Sequence, residues 1–97
     1  MKREDFIFTI GYTGETAIVD GAAKARFGRM TTRELAEAGL LKPALCSALY
    51  SKDASQVEEV LAIYKQKGGP ATMSVDQLKR TLGVFDLPDN IVRIKLL

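Results

Sequence analysis

The sequence contains no histidine, no tryptophan and a single cysteine, Cys46. Without histidine, the chain lacks the side chain that most often serves as a general base near neutral pH and as a zinc ligand. One cysteine cannot form an internal disulfide, which favours a reducing compartment. These absences favour a non-enzymatic protein without metal or cofactor, although Lys, Tyr, Asp or Glu could still act as acids or bases.

The chain also lacks a long apolar run and a strong excess of one charge. No apolar stretch reaches the ~18 residues that a membrane span needs, and Phe6–Ile10 is too short for the core of a signal peptide. Fourteen basic and 12 acidic residues leave a formal net charge of +2, which is small for a protein that coats nucleic acid or an anionic membrane. We therefore expect a soluble, cytoplasmic protein.

Length and composition are those of one folded domain. Ninety-seven residues are too few for two independent hydrophobic cores. A hydrophobic share of 46% is ordinary for globular proteins and argues against intrinsic disorder. The sequence therefore predicts a single domain over residues 1–97.

Two runs near the N-terminus predict a β-hairpin. Phe6–Ile10 is rich in aromatic and β-branched residues, which favour strands, and Thr16–Val19 follows after a loop with two glycines. Asp20 and Gly21 then have the composition of a turn. Residues 22–27 are compatible with a short helix capped by Asp20 or with a third strand, and the sequence does not decide between them.

Capping boxes predict where the later helices begin. In this motif a Ser or Thr side chain accepts a hydrogen bond from the amide three residues later, and the Glu or Gln at that position reaches back. The sequence has three such boxes, at Thr31–Glu34, Ser55–Glu58 and Ser74–Gln77. Glycines that can adopt the left-handed C-cap conformation follow each segment. The predicted helices cover residues 31–39, 55–67 and 74–83.

Between the first two boxes, Pro43–Ser51 has almost no polar face. Proline is favoured in the first turn of a helix, and a helix that is apolar all round belongs in a core. We therefore predict that this segment is the central core helix and that Leu49 is buried in it. Cys46 lies in the same segment with no histidine to activate it, so we interpret its thiol as structural.

The C-terminal residues Ile91–Leu97 predict a half-buried strand, because apolar residues alternate with Arg93 and Lys95. The hairpin is the only sheet that this strand could join. Since Phe6–Ile10 is the more apolar hairpin strand, we place it in the middle and Thr16–Val19 at an edge. The predicted fold is α+β, with a three-stranded, mainly antiparallel sheet formed by the N-terminal hairpin and the C-terminal strand, packed against three or four helices.

The segment Thr31–Tyr50 resembles a helix-turn-helix DNA-binding motif. Glu34–Glu37 and the turn at Gly39 carry the resemblance, which implies that Pro43–Ser51 is the recognition helix. That helix offers only two serines and one tyrosine to base edges, and Leu35 stands where the motif usually has alanine. Five basic residues nearby are candidate phosphate contacts: Lys24, Arg26, Arg29, Arg33 and Lys42.

Two further patterns have simpler explanations. Gly11–Gly14 follows a predicted strand, as a phosphate-binding loop would, but no helix begins directly after it and a hairpin turn explains the same residues. The acidic pairs Glu4–Asp5 and Glu58–Glu59 are adjacent in sequence and do not face each other as a catalytic pair would. We interpret both pairs as solvated surface residues.

The sequence thus favours a small, non-enzymatic module that binds a protein partner or a second copy of itself. Because Thr16–Val19 carries no charge to protect an edge, we expect it to be covered by a helix or to form a homodimer through a sheet edge. One alternative is a nucleic-acid-binding protein that uses the five basic residues. The other is a small-ligand binder or an enzyme.

Overall fold

In the computed structural model, which describes all 97 residues, the chain forms six helices and a three-stranded mixed sheet. The helices are α1 (Arg3–Ile7), α2 (Gly21–Phe27), α3 (Thr32–Glu37), α4 (Leu41–Ser51), α5 (Ala54–Gln66) and α6 (Val75–Leu82). The strands are β1 (Thr9–Thr13), β2 (Thr16–Val19) and β3 (Arg93–Leu96). The predicted α+β class is confirmed, with more helices than the three or four expected. No helix has the length and apolar character needed to cross a membrane.

The N-terminal segment differs most from its prediction. Arg3–Ile7 forms a helix rather than the start of a strand, and β1 begins only at Thr9. Phe6, Ile7 and Phe8 are apolar at every position, a pattern that does not distinguish one turn of buried helix from a buried strand. All three side chains are buried, so the run belongs to the core although its backbone is not extended.

The middle strand of the sheet is β2, which runs antiparallel to β1 and parallel to β3. The placement of Phe6–Ile10 in the middle and of Thr16–Val19 at an edge is therefore wrong. The second error follows from the first, because two of the four apolar residues that favoured a central first strand, Phe6 and Ile7, belong to α1 and a third, Phe8, is its C-cap. Ala17 and Val19 of β2 are fully buried, which sets the face of the sheet that packs against the helices.

Residues 22–27, left open between helix and strand, are helical. α2 begins at Gly21, and the Asp20 carboxylate accepts a hydrogen bond from the Ala23 amide at 3.1 Å. Gly21 also permits a close approach, since a Cβ at this position would lie 2.8 Å from the Leu97 carbonyl oxygen. The start of α2 is thus packed directly against the end of β3.

Two of the three predicted capping boxes are confirmed, those that begin at Thr31 and Ser74. The hydrogen bonds of the first box hold the pKa of Glu34 below its ordinary value. The box predicted at Ser55 is wrong, because Asp53 caps α5 and accepts the Ser55 amide at 2.9 Å. A carboxylate is a stronger acceptor than a hydroxyl, and this one lies earlier in the chain.

Helix α4 is the central helix of the core, as predicted. It packs against α1, α3, α5 and α6, and the consecutive residues Ala44–Ala48 are all buried. The helix begins at Leu41, so Pro43 lies within its first turn, where no amide needs an intrahelical acceptor. Leu49 is only half-buried, which corrects its expected place in the core. The 16 buried apolar residues form a single cluster around this helix.

A chain of polar side chains joins four of the helices. The Arg3 Nε donates to the Ser47 Oγ at 3.0 Å, and Thr32 Oγ1 lies 2.7 Å from the same Ser47 oxygen. The single hydroxyl proton of Thr32 is donated to Gln56 Oε1 at 2.8 Å, so the Ser47 hydroxyl must donate to Thr32. The chain therefore runs in one direction, from α1 through α4 and α3 to α5.

Two residues of α1 also fasten it to the segment around α2. The Arg3 guanidinium donates to the carbonyl oxygens of Gly28, at 2.9 Å, and of Met30. The carboxylate of Asp5 lies 2.6 Å from the Lys24 ammonium and is buried. Asp5 is therefore not the solvated surface residue that the sequence suggested. Its charge is compensated by a partner from α2, as a buried carboxylate requires.

Replacing Arg3 tests the importance of this polar chain. We expect Arg3→Ala to lower the free energy of unfolding by about 2–4 kcal/mol, because it removes a charged donor and leaves the Ser47 hydroxyl and two carbonyls short of a partner. Urea unfolding followed by circular dichroism measures the change. Arg80→Ala, at an exposed residue of α6, is the matched control and should stay within about 0.5 kcal/mol of the parent. Equal effects of the two substitutions would contradict the assignment.

A second pair of substitutions tests the corrected orientation of α4. Leu45 is fully buried whereas Leu49 is half-exposed. We expect Leu45→Ala to cost about 2–5 kcal/mol, since it removes buried contacts and leaves a cavity. Leu49→Ala should cost less than half as much, by the same unfolding measurement. A larger loss at position 49 would favour the orientation predicted from the sequence.

Candidate functional site

The exposed large apolar side chains are concentrated at the two edges of the sheet. They belong to β1, to β3 and the residues that flank it, and to one loop residue beside β1. The seven residues are Ile10, Tyr12, Phe85, Val92, Ile94, Leu96 and Leu97. Surface apolar residues scattered singly need no explanation, whereas a contiguous group on an open strand marks an interaction surface.

Strand β3 is confirmed as a strand, but it is not half-buried as its alternation predicted. All four of its residues are exposed, with 37% of Ile94 and 56% of Leu96 accessible. The adjoining Val92 and Leu97 are 70% and 67% accessible. We refer to the three apolar residues Val92, Ile94 and Leu96 as the β3 surface. Helix α2 contacts the end of β3 at Gly21, yet the apolar side chains of the strand stay accessible.

The backbone of β3 presents unpaired hydrogen-bonding groups at its outer edge. The Arg93 amide donates to the carbonyl of Glu15, the residue before β2, and the Leu97 amide donates to the carbonyl of Val19 in β2. Because backbone groups of a strand point alternately to its two sides, the amides and carbonyls of Ile94 and Leu96 point away from β2. They have no strand beside them. This edge can therefore accept another strand without breaking the existing ladder.

Side chains of β3 divide cleanly between the two faces of the sheet. Ile94 and Leu96 are the ladder partners of Ala17 and Val19, and directly opposed residues point to the same face. The apolar side chains of β3 therefore lie on the helix-covered face, beyond the last helix. Arg93 and Lys95 lie on the opposite face. An added strand would meet apolar groups on one face and positive charge on the other.

The other edge of the sheet, β1, is less regular. Its pairing with β2 shifts register between Thr9 and Gly11, so that Ile10 lies in a bulge. Bulges protect edges from strand addition because they disrupt the ladder and increase the local twist. Beside this edge lies a cavity of about 150 Å³, lined by Tyr12 and Phe85 among others and reaching Cys46. Partial burial raises the pKa of Tyr12.

Cys46 is buried at the inner end of that cavity and is unpaired. Burial raises the pKa of its thiol to about 11, and the neighbouring Lys42 ammonium opposes this only weakly. A thiol with so high a pKa carries almost no thiolate near neutral pH, and the thiolate is the reactive form. The geometry therefore gives Cys46 the properties of a structural residue.

The Cys46 pKa has a consequence for stability at alkaline pH. Above the unfolded-state pKa, near 9, the unfolded chain loses a proton that the folded chain retains until about pH 11. The free energy of unfolding should therefore fall across this window. Because other groups also titrate in this pH range, the measurement compares the parent with Cys46→Ala by denaturant unfolding at several pH values. The free energy of unfolding of Cys46→Ala should decline less steeply with pH than that of the parent. Parallel declines would contradict burial of the thiol.

The five predicted nucleic-acid contacts do not converge on one surface. Lys24 is paired with the buried Asp5. The Arg26 guanidinium lies 5.0 Å from the centre of the Phe27 ring, within cation–π distance. Lys42 borders the cavity beside β1. Of the five, only Arg29 and Arg33 line a common cleft. Whether these residues bind nucleic acid stays a prediction.

The cleft that contains Arg29 and Arg33 has a volume of about 520 Å³ and a mostly polar lining. The charge of Arg33 is compensated, because its Nε lies 2.9 Å from a Glu37 carboxylate oxygen and 3.7 Å from one of Glu59. The inner wall of the cleft is the hydrogen-bonded chain of Arg3 and Ser47 described above. No buried side-chain donor or acceptor in the structure lacks a partner.

The arrangement of α3 and α4 differs from what a helix-turn-helix motif needs. A recognition helix must expose one face to the major groove, whereas α4 is covered by four other helices. Its Ser47 hydroxyl, one of the few donors expected to reach base edges, is buried and donates to Thr32. The helical pair therefore serves the core of this fold.

Sequence reasoning missed both the Arg3 chain and the exposure of β3. Nothing in the N-terminal charges distinguishes Arg3 from its neighbours, because its partners come from residues 28, 30 and 47. No group of three or more His, Cys, Asp or Glu side chains is placed to hold a metal ion. No protein-family model, curated protein or solved structure matches the chain.

Proposed function

We propose that this protein is a non-enzymatic interaction module that binds an extended segment of another protein at the outer edge of β3. The observation that carries the proposal is the combination of an open backbone ladder with the apolar β3 surface on the same strand. In strand addition, main-chain hydrogen bonds supply affinity and alternate side chains supply specificity. Both elements are present at Ile94 and Leu96.

The β3 edge suits this role better than the other surfaces of the molecule. The β1 edge carries a bulge at Ile10, and the cavity beside it is small. In the polar cleft the Arg33 guanidinium is paired with Glu37, and the Arg3 and Ser47 side chains are held in hydrogen bonds within the protein. A catalytic role finds little support, because the one thiol has a pKa of about 11 and histidine is absent. A buried, unpaired cysteine is compatible with a reducing compartment, and we place the interaction in the cytoplasm.

Self-association requires a different edge from the one expected. Thr16–Val19, proposed from the sequence as a dimer edge, is enclosed between two strands. A second copy could pair only through β1 or β3. Our proposal commits to a different protein as the partner, and a homodimer through β3 is one of the outcomes that the following experiment distinguishes.

Site-specific photocrosslinking tests the proposal. A benzoylphenylalanine at position 94, introduced into the full chain, should form adducts with a partner in an extract of the protein's own cells. The same probe at the exposed Gln66 of α5 should not. Adducts whose mass equals two chains would indicate a homodimer instead, and equal labelling from both positions would overturn the proposal.

A proline at position 96 supplies the matched variant. The Leu96 amide points away from β2, so Leu96→Pro should remove an outward donor and leave the β2–β3 ladder intact. We expect it to abolish the adducts formed from position 94 while the circular dichroism spectrum and melting curve stay unchanged. Leu96→Ala retains the amide and should retain part of the crosslinking. Adducts that persist with Leu96→Pro would show that binding does not use the backbone of this edge.

A further inference from the structure

We infer that the segment bound at β3 is acidic, with carboxylate side chains alternating with apolar ones. This inference rests on the proposed strand addition and concerns the chemistry of the partner. It follows from the two basic side chains of β3, from their common face and from the uncharged residues opposite them on β2.

Arg93 and Lys95 form an uncompensated pair of positive charges. Both are exposed, and neither takes part in an ion pair. Their ladder partners on β2 are Thr16 and Ile18, which carry no charge. Four other basic residues, Arg3, Lys24, Arg33 and Lys79, form ion pairs, and the Arg26 guanidinium lies over the Phe27 ring.

The geometry of a fourth strand determines which of its residues meet these charges. A strand paired with β3 would place its side chains alternately on the two faces of the sheet. Each of them would lie beside the β3 side chain that points to the same face. Residues opposite Arg93 and Lys95 lie on the face away from the helices, where carboxylates would gain favourable cross-strand pairs. Residues opposite Ile94 and Leu96 lie beside the helix layer, where apolar side chains would extend the β3 surface.

The same charges disfavour a second copy of this chain. In an antiparallel, two-fold symmetric pair centred on Lys95, this lysine would face its own copy. A pair centred on Ile94 would place Arg93 opposite Lys95. Like charges directly opposite each other destabilise a sheet, and basic residues on edge strands prevent this kind of self-pairing. Self-pairing in these two registers is therefore disfavoured, whereas a strand that carries acidic residues meets no such repulsion.

Designed peptides test the inference. Short peptides that alternate valine with glutamate, threonine or lysine are labelled with a fluorophore, and their binding to the full chain is measured by fluorescence anisotropy. We expect the glutamate peptide to bind about three- to tenfold more tightly than the threonine peptide, from two favourable pairs, and the lysine peptide to bind most weakly. Raising the salt concentration should reduce the difference, because exposed charges are screened.

Charge reversal on the protein identifies the residues responsible. The double variant Arg93→Glu, Lys95→Glu should reverse the order, so that the lysine peptide binds more tightly than the glutamate peptide. Lys67→Glu, Arg80→Glu changes the net charge by the same amount at exposed residues away from the sheet, and should preserve the original order. A preference for glutamate that survives the first variant, or that disappears with the second, would overturn the inference.

The outcomes separate this inference from the proposed function. If glutamate and threonine peptides bind equally and Leu96→Pro abolishes both, strand addition stands and the acidic partner is refuted. If no peptide binds while position 94 still crosslinks to a partner, the edge is an interaction site and its partner is not an alternating acidic strand. If position 94 gives no specific adduct, the proposed function itself fails, whatever the peptides show.

Discussion

The burial of five consecutive residues of α4, Ala44–Ala48, is the constraint on which the rest of the structure depends. Four helices must cover this one segment, and the only polar residue among its buried positions, Ser47, must find partners within the core. Arg3 and Thr32 provide them. Each lies on a helix too short to be stable alone, so these hydrogen bonds and the packing on α4 together hold α1 and α3 in place.

Covering α4 also determines where the sheet remains open. Helices α1, α3, α5 and α6 all pack against α4, and the fully buried residues of the sheet, Ala17 and Val19, lie on β2. Helix α2 contacts the end of β3 at Gly21 but leaves the four residues of β3 exposed, although its apolar residues continue the same face. The exposed β3 surface is thus a consequence of how the helices are distributed.

The parts of the fold that could be predicted from the sequence are those set by local interactions. The boxes at Thr31 and Ser74 and the apolar α4 segment depend on neighbours within a few residues, and the structure retains them. The conformation of Phe6–Ile10 could not be predicted, because its burial is compatible with either a helix or a strand until the Arg3 contacts are known. The order of the strands could not be predicted for the same reason. For the candidate site, the sequence indicated a β3 strand with alternating character but not its exposure.

The alternation of apolar and basic residues in β3 shows that a sequence pattern can predict a strand without predicting whether that strand is buried. A half-buried strand and a strand that awaits a partner have the same sequence, since both need one apolar face and one polar face. The distinction depends on whether the protein's own helices reach that strand, which is a property of the whole fold. Here α2 contacts the end of β3 at Gly21 but leaves Ile94 and Leu96 accessible. Leaving apolar groups exposed forgoes stability that burial would supply, and binding of a complementary strand would recover it.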